Sequence, residues 1–179
     1  MASCDIAHGR LEACKDAMSG LDTAYFVNFG IDPSDVTIAS NEITAVSGVS
    51  TLYKFELKGA NTLETTINSS RDNGTTFFEQ VLTMQLKTQD VTAHDTVKLL
   101  SWGRPHIIVH TRNDQYFMVG LNRGADLTAG NISNGTQAGD FNGYSLTFTA
   151  QEKLPPIFID ATTETQLQAV FGGASIVSQ

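Results

Sequence analysis

From Thr51 to Lys87 the chain alternates apolar and polar residues over runs longer than an ordinary strand, and this pattern restricts the available folds more than any other feature. In "TLYKFELK", Tyr53, Phe55 and Leu57 fall on one face and Lys54, Glu56 and Lys58 on the other, the period of a half-buried β-strand. Gly59-Ala60 predicts a tight turn. The return run sets Leu63, Thr65 and Ile67 against Glu64, Thr66 and Asn68, so 51–58 and 61–69 read as a hairpin. After a turn signal at Asn73-Gly74, "FFEQVLTMQLK" places Phe78, Leu82, Met84 and Leu86 opposite Glu79, Val81, Thr83, Gln85 and Lys87. Such strands would span roughly 25 to 40 Å and carry their turn beyond the domain.

One helix is predicted over about 92–102, with Thr92 as N-cap and Asp95 three residues on. Val97, Leu100 and Trp102 would face a sheet, and Gly103 and Pro105 would stop the helix. Further strands are read at "TAYFVNF", "EITAVSG", the hairpin pair "HIIVHT" and "QYFMVGL" around Asn113-Asp114, "GYSLTF" and "PIFID". Strands dominate, connections are short and no βαβ rhythm appears. The expected fold is therefore mainly β: an antiparallel sandwich or barrel with one flanking helix and a long projecting hairpin. Its 179 residues, 41% of them hydrophobic, suit a single domain.

Nineteen acidic against eleven basic residues, a formal charge of −8, argue against a surface that grips nucleic acid. The first twenty residues carry Asp5, Arg10, Glu12, Lys15 and Asp16 with no apolar core, so neither export nor membrane insertion is expected. Cys4 and Cys14, with His8 between them, are too few and too loosely spaced for structural zinc; both are expected to be reduced and metal-free.

The stretch "GLNRGADLTAGNISNGTQAGDFN" could be a phosphate cradle, a calcium loop or a connector. It holds neither GxxxxGK[ST] nor GxGxxG, and "GDFNG" and "RDNG" lack the carboxylate set of a calcium loop, so it reads as a connector. There is no GxSxG, and His106 and His110 read as ordinary polar-face or core residues. No cofactor and no enzymatic activity are expected.

The segments "CKDAMSGLDTAYFVNF", "DNGTTFFEQVLTMQL" and "YFMVGLNRGADLTAGNISNGTQAGDFNGYSLTFTAQEKLPPIFI", in that order, resemble the tail tube proteins of tailed bacteriophages, with "MVG", "GTQAGDFNG" and "YSLTFTAQEK" the most distinctive pieces. The resemblance implies a virion protein, made in the host bacterial cytoplasm and located in the phage tail. Its partners would be copies of itself and other tail proteins, in rings commonly of six that stack into a tube. DNA would pass through transiently and without specific binding, and no membrane would be involved. Sheets of adjacent subunits would continue around the ring, with Glu56, Glu64 and Glu79 as candidate lumen-facing residues. The hairpin tip, with Asn68, Arg71, Asp72, Asn73 and Gly74, would contact the next ring. Segments 1–20 and 162–179 would pack poorly on their own domain and order against neighbours, with Leu167, Val170 and Phe171 as candidate inter-subunit residues. A head–tail connector, a capsid-decorating protein and a ligand-binding β-sandwich are the competing expectations.

Overall fold

The computed structural model describes residues 6, 8–12 and 14–178. In chain order the strands are β1 (Leu21–Val27), β2 (Val36–Ala39), β3 (Glu42–Val46), β4 (Thr51–Glu56), β5 (Thr62–Ser70), β6 (Thr75–Lys87), β7 (His106–Thr111), β8 (Tyr116–Val119), β9 (Asp126–Ser133), β10 (Gly143–Glu152), β11 (Ile157–Ile159) and β12 (Ser175–Val177). Helix α1 (Val91–Trp102) lies between β6 and β7, and α2 (Glu164–Val170) between β11 and β12. The strands form an eight-stranded sheet in the order β12-β4-β1-β7-β8-β11-β3-β2 and a four-stranded sheet in the order β5-β6-β10-β9.

The central strands β1 and β7 are buried on both faces, which is why "AYFV" and "IIV" are apolar without interruption instead of alternating. Ala24, Phe26, Ile107, Val109 and Val119 point toward the small sheet and meet Leu82, Met84, Tyr144, Leu146 and Phe148 there. Tyr25, Val27, Ile108, Tyr116 and Met118 point the other way. On that side Leu52 of β4 and Ile43 and Val46 of β3, strands far apart in the sheet order, share one cluster with α2. The large sheet therefore curls around α2, and the molecule is a β-sandwich with its second core inside the curl.

Four expectations need correction. The 51–58 and 61–69 runs are both strands, but they do not pair: β4 joins β1 and β12, while β5 joins β6. Leu57, 2% exposed, takes the chain from one sheet to the other, and Asn61 Oδ1 accepts from Gln85 N at 2.8 Å to start β5. Alternation establishes a strand and its faces but not its partner. The cap of α1 is Asp90, whose carboxylate accepts from Ala93 N at 2.7 Å; Thr92 lies inside the first turn, and Trp102 is 75% exposed instead of facing the sheet. The glycine-rich stretch is not only a connector, since its Asp126–Ser133 portion is the edge strand β9.

The C-terminal expectation is also overturned. Leu167, Val170 and Phe171 are buried in the chain's own core, so they present no surface to a neighbouring subunit. Their i, i+3, i+4 spacing forms one apolar helical face. Thr163 caps α2, with Gln166 reaching back to Thr162 N at 2.8 Å. Lys54 Nζ and the Tyr25 hydroxyl both donate to Glu164 Oε1, tying α2 to β4 and β1. The lysine holds that carboxyl below its usual range.

Candidate functional site

Every strand of the small sheet turns alternate residues away from the core, and together they form one broad polar face. In the β5–β6 register Glu64 lies opposite Val81 and Thr66 opposite Glu79; in the β10–β6 register Thr147, Thr149 and Gln151 lie opposite Thr83, Val81 and Glu79. Gln151 Nε2 donates to Glu79 Oε1 at 3.3 Å, and the Thr128 and Thr149 hydroxyls meet at 2.9 Å. Hydroxyl side chains are frequent on the face, among which Val81 and Phe77 are apolar. Its central charges are carboxylates, Glu64 and Glu79, while Lys87 stands at the far end of β6.

Of the three candidate acidic residues, the structure brings Glu64 and Glu79 onto this face and leaves Glu56 out. Glu56 sits on β4 in the other sheet, exposed and 2.9 Å from Lys58, whose ammonium lowers its pKa. The error follows from the mistaken β4–β5 hairpin.

The β5–β6 hairpin extends past the sandwich. The last β6–β10 pair is Phe78 with Glu152, but β5 and β6 continue pairing from Asn68–Phe77 to Ser70–Thr75 as a two-stranded ribbon. At its tip Arg71, Asp72, Asn73 and Gly74 are exposed; Gly74 has φ of 62°, and Asn73 N donates to the Ser70 hydroxyl at 3.3 Å. Asn68 is half-buried on the ribbon below.

Both margins of the small sheet are open. Among the described residues β5 pairs only with β6, and β9 only with β10, leaving two long strands each with one unpaired edge. The β9 margin is held by buried polar side chains around the loop that precedes it. Gln80 Oε1 accepts from Gly120 N at 3.0 Å, and Glu152 accepts from Asn122 N and Arg123 N at 2.9 and 2.8 Å. His106, fully buried, bonds the Gly120 carbonyl through Nδ1 at 2.7 Å and accepts from Gly30 N and Ile31 N through Nε2, each at 3.3 Å. Burial lowers its pKa. These anchors were not expected from the sequence; Gln80 and Glu152, polar residues on otherwise apolar strand faces, are the signal that could have found them.

Along β5 runs a cleft of about 760 Å³, bordered by Met18, Leu21, Asn61, Leu63 and Phe117. Ile6, Leu11 and Met18 in the N-terminal stretch are exposed, as is Cys14, whereas Cys4 lies outside the described residues. Among the described residues no helix is long and apolar enough to cross a membrane. No protein-family profile, curated protein or solved structure matches the chain.

Proposed function

We propose that the chain is a structural virion protein whose copies join side by side into rings, of six by the resemblance, that stack into a hollow tube for the passage of DNA. One observation carries the reading: a four-stranded sheet of long strands with both edges open among the described residues and a largely polar outer face whose central charges are acidic. Because the sheet is antiparallel throughout and has an even number of strands, β9 of one copy and β5 of the next run in opposite directions when copies are related by rotation about a ring axis. Antiparallel pairing could then continue around the ring without a break. Six such sheets, about 24 strands spaced about 4.8 Å and tilted about 40°, would close a barrel of about 48 Å backbone diameter, wide enough for a DNA duplex after side chains are allowed for.

The outer face would become the lumen wall. Glu64 and Glu79 would repel phosphates, and the hydroxyl-rich surface around them offers no basic cluster to hold the genome. The projecting Asn68–Thr76 tip would reach the next ring. Negative-stain electron microscopy of the purified protein tests this directly. Rings that stack into tubes are expected; rings that never stack would favour a connector, and particles that stay monomeric at every salt and protein concentration would refute the reading.

A further inference from the structure

Asn61 is 7% exposed, and its side-chain oxygen is committed to Gln85 N, so the amide orientation is assigned by its hydrogen bond. The remaining group, Nδ2, is a buried donor with no partner among the described residues. Such a group is costly unless something completes it. It borders the cleft along β5, between an open strand edge and the apolar side chains of Leu63 and Phe117. On the opposite margin of the small sheet, Ile132 of β9 pairs with Tyr144 and points toward the core side, yet remains 46% exposed. Among the described residues, one margin has an open cleft with apolar lining and an unmet donor, and the other a half-exposed apolar side chain.

We infer that the cleft beside Asn61 is the socket for a second copy of this chain, taking the end of its β9 and the start of the following loop, Ile132 to Gly135. The inference rests on the proposed ring assembly and adds to it a register. Aligning the paired ends of the two antiparallel edges sets Thr62 opposite Ser133 of the next copy, Leu63 opposite Ile132, and Glu64 opposite Asn131. Side-chain direction agrees, because Leu63 and Ile132 both face the core side, whereas Glu64 and Asn131 both face out. A slip of one residue would turn Ile132 outward and leave the cleft empty. In the aligned register Asn61 lies opposite Asn134, where the chain leaves the strand; the Ser133 carbonyl and Asn134 Oδ1 already accept from Gln89 Nε2, so the Asn134 backbone carbonyl is the acceptor for Nδ2. The glycine that follows, Gly135 at φ of 68°, lets the loop turn away immediately.

A disulfide tests the register. In a chain carrying Cys4→Ser and Cys14→Ser, Glu64→Cys and Asn131→Cys are introduced together, both at exposed positions. Within one copy β5 and β9 are separated by two intervening strands, about 14 Å, beyond the limit of about 7 Å between Cα atoms for a disulfide. Any bond between these two positions must therefore join two copies. Oxidation of assembled double variant should give a ladder of trimers and larger species on non-reducing gels, whereas each single variant stops at dimer. If the parent chain forms rings or tubes but the double variant gives no ladder beyond dimer, the socket is wrong while the assembly reading stands. If the parent chain remains monomeric under all conditions, both fail.

Discussion

Replacing His106 with glutamine should cost about 1–3 kcal/mol at pH 7.5 and also remove a slope from the pH dependence of stability. The Gly120 carbonyl can only accept, so Nδ1 carries the proton and Nε2 is the acceptor for Gly30 N and Ile31 N. Glutamine can satisfy part of this set but loses the ring that stacks on Phe29, with centroids 5.2 Å apart. Protonating Nε2 would aim a donor at two donors. Burial, the largest influence, lowers the folded pKa from 6.5; the Gly120 carbonyl and Glu152 pull it upward but do not prevail. Below about pH 6.5 the unfolded chain therefore takes up a proton that the fold resists. The histidine's contribution is full above that pH and is lost as pH falls through the window down to the lower folded pKa, at up to about 1.4 kcal/mol per pH unit. His110 is also lowered by burial, but it is the same in both proteins and cancels in their difference. Urea unfolding of wild type and His106→Gln at pH 7.5, 6.5 and 5.5 should show the stability difference narrowing as pH falls. A difference constant across that range would refute the assigned proton positions.

Phe171→Ala should destabilise the isolated chain by about 3–5 kcal/mol in urea unfolding, since the ring is fully buried inside the curled sheet; an inter-subunit residue would leave the monomer unaffected. Replacing Ser69 through Thr75 with an Asn-Gly turn should preserve circular dichroism and melting temperature but abolish tube formation, as seen by electron microscopy. Glu64→Lys with Glu79→Lys should leave assembly intact and confer salt-dependent DNA retention absent from wild type, measurable by gel shift.

Nine of the twelve strands were legible from local pattern, whereas β2, β9 and β12 were not. In β6 and β10 the period of two is set locally, because each side chain's burial depends only on which side of its own strand it leaves, and Leu82, Met84, Tyr144 and Leu146 follow it. The predominance of β structure and the helix at 91–102 follow from the same local signals. Partner choice is different in kind. Nothing in "TLYKFELKGANTLETTINSS" says that Leu57 will cross between layers, because that depends on β1 and β12, which bracket β4 from distant parts of the chain. Placing Glu56 with Glu64 and Glu79 failed for that reason. Helix α2 carried a period of 3.6 in Leu167, Val170 and Phe171, but seven residues are too few to be helical without the curled sheet that buries them. In β9 the composition "DLTAGNIS" favours turns, and pairing with β10 overrides that weak preference. Local chemistry thus determined most of the strands and which of their faces are polar; long-range pairing decided the strandedness of β9 and which edges remain open, and those edges carry the proposed assembly.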